Sequence, residues 1–471
     1  MEATEAVHMG IISLVPAVVS VILAFWTRNT VFSLAVACFL GILLSGGGLL
    51  GFPTLMKTAL GTTSFSGLLL LELFIGVMIA FFQRTGAIQN VTLMLERRKF
   101  TRVKTQLMAW FLGMFVFFSD YFSPLFVGST MRNLADKARI SREKLAYIAD
   151  STSAPVSVLV PITGWAAYFT GLLIGVGTIT NEAEAMSLFL KTIPFNFYAI
   201  LSVLFVGLLA MRVIPDFGPM KKAERRAIEE GKVLRDGADP LMGSELTDTP
   251  PYEGIKTNVF LNFFLPVMIV VAIAVGTFMT LKSAKTMEAF LAAAVILGII
   301  MRFQGIPFSD IMKTATAGMK GVMPAILVLA FAFSLNQLSK DMGTAHYIIS
   351  ITESWLTPQL LPFLIFTVCG VISFATGTSW GTFAIVMPLA APLAFTFSGG
   401  EVSLLVVATI AAVAGGGVMG DHCSPLSDTT VLASTGAASD HIDHVKTQLP
   451  YALTVAGISA ALYLLIGMVF V

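Results

Sequence analysis

Charge is scarce in this sequence. Only 12% of its 471 residues are Asp, Glu, Lys or Arg, about half the share of an ordinary soluble domain. The net charge of +1 leaves no basic footprint for nucleic acid, which is excluded as a partner. Cysteine is nearly absent. Cys38, Cys369 and Cys423 sit in separate apolar contexts and give neither a disulfide framework nor a zinc spacing. The start, MEATEAVH, is acidic and lacks the basic region of a cleaved signal, so the first apolar run is expected to be a retained span. What is abundant is apolar: 56% of residues are hydrophobic and the mean hydropathy is +0.84. The few charges gather between long apolar runs, which predicts an all-α polytopic membrane protein with the lipid bilayer as its surroundings.

Expected spans in the first half cover residues 11–25, 31–44, 68–82, 156–176 and 195–211. Basic residues set their orientation, because Lys and Arg near spans collect on the cytoplasmic side. Arg97, Arg98, Lys99, Arg102 and Lys104 precede one apolar unit, and Arg132, Lys137, Arg139, Arg142 and Lys144 follow it. A single crossing cannot begin and end on one side. Residues 105–137 therefore read as a re-entrant hairpin from the cytoplasmic side, with the polar tip Ser119-Asp120-Tyr121-Phe122-Ser123-Pro124 at membrane depth. A broken helix, 140–178, is expected next, interrupted at Asp150-Ser151-Thr152-Ser153-Ala154-Pro155. Residues 215–257 are charged and punctuated by Pro219, Pro240, Pro250 and Pro251, and read as a partly helical cytoplasmic linker.

The second half repeats the plan, with spans at 259–279, 289–300, 322–335 and 451–470. Its hairpin, 358–398, has the tip Thr376-Gly377-Thr378-Ser379-Trp380-Gly381, and the flanks at 337–355 and 398–401 hold Lys340 as their only Lys or Arg. This hairpin is expected to enter from outside, with both chain termini outside as well. A second broken helix is expected at 402–437. Gly86 aligns with Gly343, Gly113 with Gly370, Phe117 with Phe374, and Asp150-Ser151-Thr152-Ser153 with Asp421-His422-Cys423-Ser424. Residues 1–214 and 258–471 thus form an inverted-topology repeat, each half with about five spans, a re-entrant hairpin and a broken helix. That architecture supplies alternating access.

The focus is 415–430, GGGVMGDHCSPLSDTT. A carboxylate at membrane depth costs about 2.5–3.5 kcal/mol on insertion scales and marks function by default. Backbone leaves helical form there only where protein or a polar cavity satisfies it. Residues 415–420 are expected to be unwound, offering carbonyl oxygens.

The stretch Gly420-Asp421-His422-Cys423-Ser424-Pro425-Leu426-Ser427-Asp428-Thr429-Thr430 resembles the signature of the NhaC-type sodium/proton antiporter family, within the larger ion transporter superfamily. Asp150–Pro155 with Pro161-Ile162-Thr163-Gly164-Trp165 is similar to its first-half counterpart. The resemblance implies secondary-active exchange of sodium and protons in a bacterial-type inner membrane. Some members couple these ions to organic anions or amino acids. It also implies a homodimer with a scaffold and an elevator-like transport domain, and no cofactor beyond the coupling ions.

Sodium prefers hard oxygen ligands, and Asp150, Ser151, Thr152, Ser153, Asp421, Ser424, Asp428 and Thr429 are the candidates. A buried carboxyl is stable as the neutral acid, or as the carboxylate beside a cation. One aspartate, Asp421 or Asp150, can therefore exchange a proton for sodium. His422 is a candidate pH sensor or a hydrogen-bonding group within the site, and Glu72 a candidate second proton position. If a small carboxylate or amino acid is carried, Asp120, Ser123, Thr378, Ser379 and Trp380 are the candidate contacts. Asp120 as a hairpin cap and Trp380 as packing are the structural alternatives. Cys423, His422 and Asp421 are adjacent in sequence and so are poorly placed to act as a nucleophilic triad; a transporter, not an enzyme, is expected.

Overall fold

Backbone N–H and C=O groups among apolar side chains have no water to bond, and a helix satisfies them within one segment. The computed structural model accordingly describes helices and turns, over residues 8–27, 29–48, 50–96, 101–117, 119–161, 163–242, 250–281, 285–352, 355 and 357–470. Expectations that fall on residues 1–7, Arg28, Arg97, Arg98, Lys99, Phe118, Ile162 and residues 243–249 lie outside the described residues.

The first half runs α1 (Val15–Thr27), α2 (Thr30–Leu44), α3 (Gly51–Leu60), α4 (Thr63–Arg84), α5 (Ala87–Glu96), α6 (Arg102–Phe115), α7 (Phe122–Lys137) and α8 (Arg142–Ser151). There follow the short α9 (Ala154–Ser157), then α10 (Gly164–Leu173), α11 (Glu182–Thr192) and α12 (Phe197–Ala210). The charged segment holds α13 (Gly218–Glu229). The second half runs α14 (Leu265–Leu281), α15 (Thr286–Phe303), α16 (Phe308–Gly321), α17 (Met323–Asp341) and α18 (Thr344–Thr352). It closes with α19 (Leu361–Thr376), α20 (Ser379–Phe397), α21 (Leu404–Cys423), α22 (Asp428–Ala437) and α23 (His441–Phe470).

Among the described residues seven helices are long and apolar enough to cross a bilayer, and eight if α11 and α12, bent by 46°, make one span. The protein is a multi-pass, all-helical membrane protein. Helices α6 and α7 have 14 and 16 residues. At 1.5 Å per residue they rise roughly 21 and 24 Å, short of a hydrocarbon core of about 30 Å. They meet at 119–121, and α19 and α20 meet at Gly377-Thr378. Helices α3, α5, α16 and α18 lie where no span was expected. Charges such as Lys57 in α3 and Asp310, Lys313 and Lys320 in α16 break the apolar runs there.

Two apolar clusters flank the centre. One joins α2, α4 and α14–α17 with Val431 and Leu432 of α22. The other joins α10–α12, α19–α21 and α23. Helix α21 is almost wholly buried while α14 is mostly exposed, so the signature helix lies innermost. Residues 415–420 remain helical inside α21, contrary to the expected unwinding. Their glycines serve packing instead. A β-carbon built on Gly420 falls 2.2 Å from the Gly370 carbonyl oxygen of α19, and one on Gly416 falls 2.3 Å from the Phe366 carbonyl oxygen. Bare backbone lets α19 and α21 touch along their length.

The segment at 215–257 is docked against the helices along its described length. Arg226 Nη2 reaches both carboxylate oxygens of Glu143 in α8, at 2.9 and 3.0 Å. Lys144 Nζ lies 2.5 Å from Asp216 Oδ1. Glu224 accepts from the Ser141 N–H at 2.9 Å and pairs with Arg102. Arg235 pairs with Asp443 at 2.6 Å and Asp440 at 3.3 Å at the start of α23. The far end returns to α4, where Arg84 donates to the Pro250 carbonyl and accepts, at its own carbonyl, from the Tyr252 N–H. Glu143 has a side chain only 2% exposed. Arg226→Ala strands that carboxylate and is expected to lower stability by up to about 3–5 kcal/mol. Arg225→Ala breaks only an exposed, solvent-screened pair with Glu229, and no measurable change is expected. Thermal unfolding of the two purified variants in detergent checks the contrast.

Candidate functional site

Two helix breaks face each other at the centre. Helix α8 ends at Ser151, and Pro155, which has no N–H to donate, follows in the next short turn. Helix α21 ends at Cys423, and Ser424 before Pro425 is extended, with ψ 133°. A residue before proline disfavours helical backbone. The break at 424–427 is satisfied from within. The Ser424 N–H bonds the Asp421 carbonyl at 3.0 Å, the Ser424 hydroxyl donates to the Phe374 carbonyl at 2.7 Å, and Ser427 caps α22.

Asp150 and Asp421 sit at these two breaks, 1% and 2% exposed. Asp150 Oδ2 accepts from Gln448 Nε2 at 2.8 Å. Gln448 Nε2 also bonds the His422 carbonyl, so one α23 side chain links the two broken helices. Asp421 Oδ2 accepts from the Ser379 hydroxyl, 2.8 Å away on the tip between α19 and α20. The Thr430 hydroxyl donates to the Asp421 carbonyl at 3.4 Å. Asp150 Oδ1 and Asp421 Oδ1 are both buried with no hydrogen-bond partner among the described residues. Each carboxyl group is thus half satisfied.

Asp428, at the first turn of α22, accepts from the Tyr121 hydroxyl at 3.0 Å and from the Thr429 N–H at 2.8 Å. That bond ties the first hairpin tip to the second broken helix. Backbone contact brings them close: a β-carbon built on Gly128 of α7 falls 2.4 Å from the Gly436 carbonyl carbon of α22. Asp120 is buried at the same tip, with Trp165 and Trp380 beside its carboxyl group.

Other candidates are engaged locally. The hydroxyls of Thr152 and Ser153 donate to the carbonyls of Ile148 and Asp150, at 2.8 and 2.6 Å. Ser151 Oγ lies 3.0 Å from His422 Nε2, and the Tyr198 hydroxyl 2.8 Å from His422 Nδ1. Both imidazole nitrogens are therefore occupied within the site. Thr429 and Ser427 pair through their hydroxyls at 3.0 Å, Ser123 reaches the Gly113 carbonyl at 3.4 Å, and Thr378 caps α20. The Cys423 thiol bonds the Met419 carbonyl at 3.1 Å. Glu72 lies within α4, fully buried, and neither carboxyl oxygen has a partner among the described residues.

Gln448, His444, Tyr198 and Thr430 were not among the candidate ion or solute contacts, although Thr430 closes the signature stretch. His444 and Gln448, four apart, share one face of α23, and His444 Nε2 is 2.7 Å from Gln448 Oε1 and 3.8 Å from Asp150 Oδ2. The available signal was a polar i, i+4 pair opening an otherwise apolar helix.

Two cavities approach the centre. One, about 690 Å³, is lined by Tyr121, Tyr168, Trp380, Asn336, Lys340 and Asp428 among others. The second, about 870 Å³, is lined by Arg142, Asp239, Asp440 and His441 beside the charged segment. Helix α22 runs between them, with Asp428 on the first and Ala438 on the second. Gly436→Ala places a methyl group 2.6 Å from the Pro124 carbonyl oxygen and is expected to destabilise by about 1–3 kcal/mol through overpacking. The unfolding temperature of the purified protein should fall; an unchanged value would contradict the close α7–α22 contact.

Comparison with known proteins gives a family match. The sequence model of the "Na+/H+ antiporter family" matches residues 156–468, which includes the α21–α22 break and begins just after Asp150. An uncharacterized protein of Haemophilus influenzae is 32% identical, over 97% of this chain and 91% of that protein. The malate-2H(+)/Na(+)-lactate antiporter of Bacillus subtilis is 26% identical over 44% of each chain. The arginine/ornithine antiporter ArcD of Halobacterium salinarum is 30% identical over 36% of this chain and 34% of its own. The chain belongs to the Na+/H+ antiporter family.

Proposed function

We propose that this protein exchanges sodium for protons by alternating access, with Asp421 and Asp150 as the groups that hold one ion or the other. The carrying observation is their half-satisfied state. A carboxyl group out of water is stable as the neutral acid or as a carboxylate beside a cation. An unpartnered oxygen on each is where a proton or a sodium ion sits. Hydroxyl and carbonyl oxygens at 151–153, Ser424, Asp428 and Thr429 are the hard ligands within the same two breaks. Glu72, whose two buried oxygens have no partner among the described residues, is the second proton position.

Alternating access draws support from the order of elements. Helices α1–α8 and α14–α21 succeed one another in the same sequence of long, short and broken pieces. Gly86 and Gly343 both hold positive φ, 70° and 69°, at the matching turns. Helix α4 packs on α16, and α17 reciprocally on α3. An inverted repeat with an elevator-like movement in a homodimer accommodates this arrangement, with the cavities on either side of α22 as the two openings.

The first cavity is far larger than a sodium ion requires, and two relatives are named for organic solutes. Coupled movement of a small organic solute is the second reading.

In proteoliposomes with an imposed sodium gradient and no organic solute, proton flux is expected. Asp421→Asn and Asp150→Asn should each reduce it to background while the protein still inserts. Full flux in either variant overturns that residue's assignment.

A further inference from the structure

Two histidines that the ion site leaves unassigned share one hydroxyl group. His441 and His444, at the start of α23, are 2% and 0% exposed. Ser434 of α22, also buried, lies between them. Its Oγ is 3.0 Å from His441 Nδ1 and 2.9 Å from His444 Nδ1. The far nitrogens are engaged as well. His441 Nε2 lies 2.9 Å from the Pro425 carbonyl oxygen, and His444 Nε2 lies 2.7 Å from Gln448 Oε1.

These partners fix where the hydrogens are. A carbonyl oxygen only accepts, so His441 carries its hydrogen on Nε2. Gln448 presents its amide nitrogen to the His422 carbonyl, which leaves Oε1, another acceptor, facing His444. His444 therefore carries its hydrogen on Nε2 too. Both Nδ1 atoms are then bare lone pairs aimed at one hydroxyl. Ser434 has a single hydrogen to give, and the Thr430 carbonyl, 2.9 Å from the same Oγ, competes for it. At least one buried imidazole nitrogen is left without a donor, which is costly. One added proton removes the deficit. On either Nδ1 it donates to Ser434 Oγ, whose own hydrogen turns to the other Nδ1. The doubly protonated ring then has an acceptor at each nitrogen. A second added proton would set two like charges across one buried oxygen, which their repulsion opposes.

We infer that His441, Ser434 and His444 form a proton-binding site that holds one proton shared between the two imidazoles. His441 lines the cavity of about 870 Å³ beside the charged segment, and His444 Nε2 stands 3.8 Å from Asp150 Oδ2. The shared proton is thus a reserve between that cavity and Asp150. The charged and titratable groups about the pair are Asp440 and Asp443 on α23, both paired with Arg235, Arg142 and Asp239 in the cavity wall, Asp150 from α8 and His422 from α21. Arg142 is itself paired with Asp136. The binding does not depend on the ion-exchange reading; its part in transport does.

Imidazole protonation is read directly by nitrogen NMR of the purified full-length protein isotopically labelled at histidine, since rings with one and with two N–H groups give different nitrogen shifts. The pair is assigned by the signals lost in His441→Asn and His444→Asn. Between about pH 5 and 8, where histidine charge ordinarily changes, one ring of the pair should become doubly protonated while the other keeps a bare nitrogen. In Ser434→Ala, which removes only the hydroxyl, neither ring should carry two protons over that range. Two neutral rings throughout, two doubly protonated rings at once, or a Ser434→Ala variant that still takes up the proton would overturn the inference. If that variant does not fold, the natural sequence alone decides. Sodium-driven proton flux with two neutral rings would leave the ion-exchange reading standing and sink this one. A shared proton without such flux would do the reverse.

Discussion

Two carboxyl groups deep inside a helical bundle, each with one oxygen bonded and the other without a partner among the described residues, set the demand that the surrounding structure meets. Such a group is costly to bury unless its polar neighbours are held in place. The neighbours here come from separate elements: Ser379 from the tip between α19 and α20, and Gln448 from the last long helix. They converge because backbone packs directly on backbone. Gly420 admits α19 against α21, and Gly128 with Gly436 admits α7 against α22. A side chain at any of these positions would separate the pieces and pull the donors from the carboxylates. The glycines therefore act on the site without touching it.

The helix breaks were legible in the sequence because their punctuation is unambiguous. Proline, aspartate and serine inside an apolar run leave few alternatives, and the breaks after Ser151 and Cys423 fall at those residues. The same logic misjudged residues 415–420. Glycine signals both loose backbone and close packing, and only the position of α19 decides between them. Gln448 was not legible for another reason. It is one of several polar residues at the start of a 30-residue helix, and its importance comes from two partners distant in sequence, Asp150 and the carbonyl of His422. The short helices α3, α5, α16 and α18 were missed because a search for spans passes over pieces of 9–14 residues, and in α3 and α16 charges also break the apolar run.

The charged segment between the halves was readable as a linker by composition, but composition does not reveal that it is docked. Its ion pairs fall on two helices in particular. Arg226 and Asp216 hold Glu143 and Lys144 in the first turn of α8, and Arg235 holds Asp440 and Asp443 at the start of α23. Two turns further along α8 stands Asp150, and one to two turns along α23 stand His444 and Gln448. The helices that meet at Asp150 are thus fastened to one another outside the site by the same strand of chain.

Buried or half-buried ion pairs contribute little net stability over an apolar alternative, yet losing one partner is severe. Their effect is chiefly to forbid other arrangements. Glu143, almost fully buried, has no low-energy position away from Arg226, and Lys144, fully buried, has none away from Asp216. A movement that shifts α8 against α23 would have to break these pairs, whereas one that carries both helices together keeps them. The segment therefore favours motions in which α8, α23 and residues 215–240 travel as one body. In such motions the bond from Gln448 to Asp150 is kept.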